Sequence, residues 1–331
     1  MGTERPGSQI LGTGAYAPEK VLTNRDIEKI VDTSDEWIRE RTGIGERRIA
    51  ADGEAASDLA LRASQRALEA AGVRAADLDM IIVGTISADH PMPACAAYLQ
   101  RKLGASQIPA FDVSAACAGF LYGLSIGDQF VRTGALKRVL VVGVELLSRI
   151  LNWKDRATCV LFGDGAGAVV LGPADGDGRG VLSTKLHTDA SLTDSLYIPA
   201  GGSRERLTPE GLAANRDKVF MVGSDIFRIA VKNLTGASRA ALDAADMPPD
   251  AVKWVVPHQA NMRIISQVAQ RLDIPLERFV LNIERYGNTS SASIPLALDE
   301  AVRDGRIQKG DTVLMCALGA GISWGSALVR M

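Results

Sequence analysis

The sequence predicts a layered α/β protein built from two similar halves, and three observations support this prediction. An internal repeat links residues 63–84 to residues 237–258, helical and strand patterns alternate, and a Gly/Asp-rich turn lies near the middle of the chain. Both repeat segments begin Ala-Ser, continue with Ala-Leu-acid-Ala-Ala and end in an apolar run. This order predicts a helix, a turn and a buried strand in each half. Two such units imply packed layers related by a pseudo-two-fold axis.

A second repeated block contains candidate functional residues. The order short strand, candidate residue, long helix and strand occurs first with Cys117 and again with Asn288. The same number of residues separates each of them from the glycine that ends its helical pattern, Gly134 or Gly305. We therefore interpret Cys117 and Asn288 as equivalent positions in the two halves. His258 follows the repeated strand of the second half, so we expect all three side chains to meet near the axis.

The division between the halves is expected near residue 175. The turn Pro173-Ala-Asp-Gly-Asp-Gly lies between two strong strand patterns and is predicted to be a short connection. We expect an N-terminal half, residues 1–174, with the nucleophilic cysteine, and a C-terminal half, residues 175–331, with the histidine and asparagine. Residues 201–215 have the weakest pattern and predict a surface loop.

The composition is ordinary for a soluble globular enzyme, with 47% hydrophobic and 23% charged residues. A formal net charge of −2 gives no basic field for nucleic acid or an anionic membrane. No apolar run is long enough to span a membrane and residues 1–10 lack a signal-peptide pattern, so we expect a cytoplasmic protein. The 4 cysteines are scattered without metal-ligand spacing, which predicts neither a zinc site nor disulfides.

Cys117 is the cysteine with the surroundings of a nucleophile. It precedes a helix predicted from about Gly119 to Arg132, and the positive end of a helix favours the thiolate. Its small neighbours leave room for backbone N–H groups to form an oxyanion hole. Alone, Cys117 would be interpreted as a buried hydrophobe, His258 as a satisfied structural histidine and Asn288 as a helix cap. The repeat favours a joint functional interpretation.

The residue types leave two chemistries open. Cys, His and Asn together serve hydrolysis in papain-like enzymes. They also suit a decarboxylative Claisen condensation, in which the cysteine carries an acyl group as a thioester. The histidine and asparagine then donate hydrogen bonds to the enolate that remains when CO₂ departs from a second thioester. Residue chemistry alone does not separate these reactions.

Seven ordered motifs give the chain a close resemblance, along essentially its whole length, to the β-ketoacyl-acyl-carrier-protein synthase III family. They are Val31-Asp-Thr-Ser-Asp-Glu-Trp-Ile-Arg, Arg41-Thr-Gly-Ile, Ala115-Ala-Cys-Ala-Gly-Phe, Phe162-Gly-Asp-Gly-Ala-Gly-Ala, Pro257-His-Gln-Ala-Asn-Met-Arg, Gly287-Asn-Thr-Ser-Ser-Ala-Ser and Trp324-Gly-Ser-Ala-Leu-Val-Arg. The resemblance implies a duplicated thiolase-like fold with five layers, αβαβα, and a homodimer. It also implies that an acyl-CoA primer is loaded on Cys117 and condensed with malonyl-acyl-carrier protein, which initiates fatty-acid synthesis without a metal or redox cofactor.

The resemblance further implies roles for particular residues. His258 and Asn288 bind the malonyl thioester, and the backbone N–H groups of Cys117 and Ala320 form the oxyanion hole. The remaining roles are coenzyme A binding, carrier-protein docking and shaping of the acyl pocket. The residues implied are Thr33, Trp37, Arg41, Arg156 and Asn261 for coenzyme A, with Trp37 and Arg156 flanking the adenine; Arg228, Arg263 and Arg271 for docking; and Met92 and Leu318 for the acyl pocket.

The chain departs from the family near its C-terminus. In Ala317-Leu-Gly-Ala-Gly-Ile-Ser, Leu318 and Ile322 replace phenylalanines and Ala320 replaces a glycine. Met92 stands where a relative can place a phenylalanine across the dimer interface, and a flexible methionine suits longer or branched primers. These departures leave the acyl primer open.

Several alternative functions remain at this point. The chain could be a related condensing or acyl-transferring enzyme of polyketide or secondary metabolism, a thioester hydrolase, or an inactive binding subunit. Inactive subunits typically lose the nucleophile, whereas this chain keeps all three candidate residues. A biosynthetic thiolase needs a second catalytic cysteine, and Cys316 lacks the Cys-x-Gly pattern. Hydroxymethylglutaryl synthase calls for a catalytic glutamate, for which no matching motif is found.

Overall fold

The computed structural model describes residues 7–331, apart from the side chain of Asp225. The strands are β1 Ser8–Tyr16, β2 Lys20–Thr23, β3 Glu46–Ile49, β4 Met80–Gly84, β5 Ala110–Val113, β6 Val139–Leu146, β7 Asp164–Pro173, β8 Gly180–Thr188, β9 Leu196–Tyr197, β10 Phe220–Met221, β11 Trp254–Pro257, β12 Thr312–Gly319 and β13 Ser323–Arg330. The helices are α1 Asn24–Ile27, α2 Asp35–Thr42, α3 Ala56–Ala71, α4 Cys95–Leu103, α5 Gly119–Arg132, α6 Arg156–Cys159, α7 Pro209–Ala213, α8 Gly223–Ala244, α9 Met262–Leu272, α10 Ile283–Tyr286 and α11 Ser293–Arg303.

Two large sheets share one strand order. The first runs β5-β4-β6-β7-β1, with β5, β4 and β6 parallel and β7 and β1 antiparallel. The second runs β11-β12-β13-β8, with a parallel pair followed by two antiparallel strands. Phe279 forms a parallel bridge with Val255 on β11, at the edge that β5 occupies in the first sheet. The matching order reflects the sequence repeat.

The helices complete five layers. Helices α3 and α4 cover the outer face of the first sheet, and α8 and α9 cover the outer face of the second. Helices α5 and α11 lie between the sheets, inside the central apolar core. Gly123 and Gly127 let α5 approach the first sheet, because a Cβ on either would lie within 3.0 Å of a valine or leucine side chain. The αβαβα fold predicted from the sequence is confirmed.

The expected boundary falls between the sheets. Strand β7 belongs to the first sheet, β8 belongs to the second, and residues 174–179 connect them. We propose this turn as the division between the two halves. The surface loop expected at residues 201–215 also contains the short helix α7, which Thr208 caps by accepting a hydrogen bond from the Gly211 N–H. In the described range 7–331, no helix is long and apolar enough to cross a membrane.

The structure corrects the register of the repeat. Ala116 and Ser290 both have a left-handed backbone, with φ of 45° and 48°, and each opens a 3-10 turn that leads into a helix. This match pairs Cys117 with Ser291, and Asn288 lies three positions earlier than the repeat predicted. The equal chain lengths misled the sequence analysis because α11 has 11 residues and α5 has 14, which offsets the shift.

Candidate active site

A strained turn at the entrance to α5 holds Cys117. The left-handed conformation of Ala116 is unfavourable for a residue with a Cβ and turns the chain sharply. Gly319, at the end of β12, packs directly on this turn, since a Cβ there would lie 2.5 Å from the Cys117 backbone nitrogen. The glycine is therefore required by close backbone approach. Cys117 is 8% exposed as a result.

Two cavities meet at Cys117. The larger, of about 420 Å³, is mainly apolar and extends past Leu196 and Ile198. The smaller, of about 140 Å³, also contains His258 and Asn288. The structure thus brings the three sequence-predicted residues to the smaller cavity. The Cys117 sulfur lies where this cavity meets the larger, apolar cavity. This arrangement suits a nucleophile that holds an apolar group on one side and receives a second reactant from the other.

His258 is held as a neutral imidazole at the end of β11. Its backbone N–H donates to the Cys316 carbonyl at 2.8 Å, and its Nδ1 lies 2.6 Å from Ser293 Oγ. Burial lowers the pKa of His258 to about 3. The ring is therefore uncharged at neutral pH. When the Ser293 hydroxyl donates to Nδ1, Nε2 carries the proton and is the hydrogen-bond donor.

Asn288 is fixed through both its backbone and its side chain. Its N–H donates to Leu161 at 2.9 Å, and its carbonyl accepts from Gly163 at 3.0 Å. The side-chain Oδ1 accepts from the Ser290 N–H at 2.9 Å. With Oδ1 engaged in this way, Nδ2 is the end of the amide that is available to donate to a substrate. His258 and Asn288 therefore supply two neutral donors on the same cavity.

The expected stabilisation of a Cys117 thiolate is not what the structure indicates. Burial raises the pKa of the Cys117 thiol to about 12, interaction with the Ser290 side chain lowers it, and the charge of Glu145 raises it. Desolvation outweighs the helix terminus, since Cys117 is buried, with 8% of its surface exposed. Deprotonation must then accompany the reaction of the thiol. The helix that follows Cys117 is visible in the sequence, whereas the depth of burial of the thiol is not.

Glu145 is a site residue that sequence reasoning missed. It lies on β6, is 0% exposed, and accepts hydrogen bonds from Ser87 Oγ at 2.5 Å and Ser290 Oγ at 3.1 Å. Burial raises the pKa of this carboxyl to about 7, and its hydrogen bonds oppose the rise. The signal in the sequence was a single acid within the otherwise apolar run Val-Leu-Val-Val-Gly-Val-Glu-Leu.

The residues expected to bind coenzyme A form a group at the protein surface. The Trp37 ring has the Arg156 guanidinium 4.9 Å from its centroid and the Arg41 guanidinium at 5.6 Å. Asn261 Nδ2 donates to the Arg41 carbonyl at 3.0 Å, and Asn261 also lines the smaller cavity. Thr33 lies close to Trp37 in sequence, and its buried hydroxyl has no hydrogen-bond partner. The group thus connects with the space that contains Cys117.

The expected docking and acyl-pocket residues are only partly brought together. Arg263, at the start of α9, stacks over Phe227 beside exposed Arg228, and Phe227 lines the smaller cavity. Arg271 is eight residues further along α9, about 12 Å away. Ala320 lines the larger cavity and Leu318 the smaller. Met92 is 81% exposed and lines neither cavity within the chain. In the described part of the chain, no cluster of His, Cys, Asp and Glu suits a metal ion.

The fold and site define the class of thiolase-fold condensing enzymes. Family models described as 3-oxoacyl-[acyl-carrier-protein] synthase III and its C-terminal part match residues 111–190 and 242–331. A β-ketoacyl-[acyl-carrier-protein] synthase III of Xanthomonas campestris is 54% identical over 331 residues and is aligned over 99% of each chain. The chain belongs to the β-ketoacyl-[acyl-carrier-protein] synthase III family.

Solved structures agree with this assignment. The 3-oxoacyl-[acyl-carrier-protein] synthase III of Aquifex aeolicus is 45% identical and superposes with a TM-score of 0.90, over 98% of this chain and 100% of that chain. The priming β-ketosynthase of a polyketide biosynthetic pathway is 37% identical with a TM-score of 0.92, over 100% of this chain and 98% of that chain. Family membership therefore extends over the full described fold.

Proposed function

We propose that this enzyme initiates fatty-acid synthesis by condensing an acyl-CoA primer with malonyl-acyl-carrier protein. The observation that carries the proposal is the position of Cys117 between an apolar cavity and a second cavity that holds His258 and Asn288. One cavity suits the acyl chain, and the other suits the reacting thioester. Family membership supports the same reaction.

The first half-reaction transfers the acyl group. Cys117 Sγ attacks the thioester carbonyl, a new carbon–sulfur bond forms, and coenzyme A leaves as its thiol. Backbone N–H groups of Cys117 and Ala320 are the proposed donors to the carbonyl oxygen as it gains negative charge. The alanine in place of a family glycine keeps that N–H.

The second half-reaction makes the carbon–carbon bond. Malonyl thioester loses CO₂, and the electron pair of the broken bond moves onto the thioester oxygen as an enolate. His258 Nε2 and Asn288 Nδ2 donate hydrogen bonds to this oxygen. The enolate carbon attacks the acyl group on Cys117, and the sulfur leaves. The neutral state of His258 fits this role, since the ring can still donate through Nε2 when Nδ1 accepts from Ser293.

Coenzyme A binding is proposed for Trp37, Arg156, Arg41, Thr33 and Asn261. Arg156 and Trp37 already touch at 4.9 Å. A flat adenine between them requires about 7 Å, which is two van der Waals contacts. Arg156 must therefore swing outwards on binding, and the guanidinium stack is then restored on the adenine face.

Roles are also proposed for the residues expected at the docking surface and at the acyl pocket. Arg228, Arg263 and Arg271 are proposed to attract the acidic carrier protein. Leu318 and Met92 are proposed to shape the acyl site, Met92 from the partner subunit of a homodimer, because it is exposed within its own chain. Carbon–carbon bond formation is driven by CO₂ release, so the proposed reaction uses no metal or redox cofactor. We propose that the enzyme acts in the cytoplasm.

A second candidate is the priming of a polyketide. The polyketide priming ketosynthase superposes with a TM-score of 0.92 at 37% identity. The same site would then load a primer for a different carrier protein. The two functions differ in the carrier protein that is accepted, and so a comparison of carrier proteins separates them.

The test is intact-protein mass spectrometry with a panel of acyl-CoA thioesters, followed by malonyl-acyl-carrier protein. We expect one acyl adduct on wild-type protein, none on Cys117→Ser, and loss of the adduct as a β-ketoacyl product forms. The adduct identifies the primer. An adduct released only as free acid indicates a hydrolase, and no adduct with any acyl-CoA contradicts the proposal.

A further inference from the structure

Glu145 is a buried carboxyl group for which the proposed reaction has no role. Its carboxylate accepts from Ser87 Oγ at 2.5 Å, the Ile86 N–H at 3.2 Å, Thr85 Oγ1 at 3.4 Å and Ser290 Oγ at 3.1 Å. These four donors are neutral. A fully buried carboxylate without a cationic partner is costly in free energy.

Ser290 connects this carboxyl group to the nucleophile. Its Oγ donates to Glu145 Oε1, and it lines the larger cavity together with Cys117. The turn that carries Ser290 packs against the turn that carries Cys117, so the hydroxyl lies beside the thiol. The Ser290 N–H is held by Asn288 Oδ1, and its left-handed φ of 48° fixes the direction of the side chain. Thiol, hydroxyl and carboxylate therefore lie in this order as a chain of three groups, in which Ser290 is hydrogen-bonded to Glu145 and faces the cavity of Cys117.

The electrostatics of this chain favour a single negative charge. A charged Glu145 opposes ionisation of Cys117, so a thiolate beside a carboxylate is disfavoured. Apart from His258, which lines the smaller cavity with Cys117, the other titratable groups named on the surrounding elements are thiols and acids. They are Cys95 on α4, which interacts with Glu145, Asp89 and Asp112, and Asp164 on β7, which accepts from Ser148 and from the Ala50 N–H. Transfer of one proton along the chain moves the charge to sulfur without adding a second.

We propose that Glu145 and Ser290 form a proton relay that takes up the Cys117 thiol proton during acyl transfer and returns it during condensation. In acyl transfer, the thiol proton passes to Ser290 Oγ while the serine proton passes to Glu145 Oε1. The Cys117 sulfur bonds to the acyl carbon, the bond to the coenzyme A sulfur breaks, and solvent protonates the departing thiolate. This step rests on the proposed function.

The return step closes the cycle. When the enolate carbon attacks the acyl group, the bond between the acyl carbon and Cys117 sulfur breaks and the sulfur takes the electron pair. The stored proton returns from Glu145 through Ser290, which restores the thiol and the carboxylate. One solvent proton is consumed per turnover, by coenzyme A. Glu145 is a positioning residue in this scheme, because it acts through Ser290.

The relay is tested with the full chain by alkylation of Cys117 with iodoacetamide as a function of pH, followed by peptide mass spectrometry. The variants are Glu145→Gln and Ser290→Ala. Alanine suits the backbone at 290, since Ala116 adopts φ of 45° at the matching position. Ser291→Ala is the matched control, because its buried hydroxyl has no hydrogen-bond partner. Acyl transfer from acyl-CoA is measured on the same samples, and melting temperatures identify misfolded variants.

The wild-type alkylation rate should rise through an ionisation near pH 7, where Glu145 becomes a proton acceptor. In Glu145→Gln and Ser290→Ala this rise should disappear, with alkylation at pH 7 slower by about 100-fold. The double variant should be no slower than either single one, and Ser291→Ala should match wild type. A wild-type pH profile in either relay variant overturns the relay. Absence of wild-type acylation instead contradicts the proposed function, and the alkylation profiles still judge the relay.

Discussion

At the scale of single residues, the site depends on how each polar atom is already occupied. Ser293 binds His258 Nδ1, and the Ser290 N–H binds Asn288 Oδ1. These contacts leave one nitrogen on each side chain for the substrate. The residues that orient the donors come from the turn before α11 and from the first residue of α11, so this short segment determines much of the chemistry.

Replacement of either donor should separate the two half-reactions. His258→Ala or Asn288→Ala should slow malonyl decarboxylation by about 100-fold or more, since each removes a donor to the enolate. Acylation of Cys117 should change much less. The measurements are CO₂ release from malonyl-acyl-carrier protein and single-turnover acylation by mass spectrometry. Equal losses in both steps would contradict the assigned roles.

At the scale of elements, the site is made where the ends of strands press on the turns before the central helices. Strand β12 ends at Gly319 against the Cys117 turn, and Gly143 on β6 lies against Ser291 in the matching turn. The two turns are related by the pseudo-symmetry, but the two glycines do not occupy matching positions of their strands. The second turn carries a serine where the first carries the nucleophile, so the duplicated elements differ in chemistry while sharing backbone geometry.

Gly319→Ala should displace the nucleophile. The new Cβ would lie 2.5 Å from the Cys117 nitrogen, so the turn must move and the backbone N–H loses its position. We expect loss of acylation and a stability cost of about 1–3 kcal/mol. The control is Gly236→Ala in α8, where a Cβ meets nothing within 4 Å. Activity of Gly319→Ala close to wild type would show that the turn tolerates the shift.

At the scale of the whole molecule, buried ionisable groups make stability depend on pH in two opposite ways. The pKa of His258 falls from 6.5 to about 3 on folding, so the unfolded chain binds the extra proton and stability is lost as pH falls below 6.5. The pKa of Glu145 rises from 4.5 to about 7, so the folded chain binds the extra proton and stability is lost as pH rises through that window.

Glu145→Gln should therefore be more stable than wild type above pH 7 and not below pH 4.5. The gain has an upper limit of about 3 kcal/mol, set by the size of the pKa shift. Melting temperature measured against pH tests this, and Glu69→Gln, at an exposed position of α3, is the control. A stability difference that is the same at every pH would argue against a raised carboxyl pKa.

Carrier-protein docking is the other prediction at this scale. Arg263→Glu should raise KM for malonyl-acyl-carrier protein several-fold and leave the acyl-CoA step unchanged, because a reversed charge opposes an acidic partner. Arg271→Glu should have a smaller effect, since it lies about 12 Å further from the cavity mouth along α9. Steady-state kinetics at two salt concentrations measure both. A larger effect at Arg271 would move the docking surface to the other end of α9.

The sequence by itself determined the layers and predicted three candidate site residues, which the structure brings to one cavity. Apolar runs and helical periodicity are local, and duplication repeats them, so the two sheets and the helices between them could be predicted from residues such as those at 63–84 and 237–258. The motifs around Cys117, His258 and Asn288 then placed the candidate chemistry. The resemblance carried the coenzyme A and docking residues, which periodicity does not identify.

Only the tertiary structure decided the register of the repeat and the protonation of the site. A shift of three positions before Asn288 was hidden because the shorter α11 restored the count. Cys117 lies just before a helix, whose N-terminus favours a thiolate. Burial of the thiol by segments distant in sequence outweighs this effect of the helix. Glu145 is 28 positions from Cys117 and accepts a hydrogen bond from Ser290 of the other half. Desolvation and hydrogen-bond partners depend on what packs around a group, and that packing is set by contacts between the two halves.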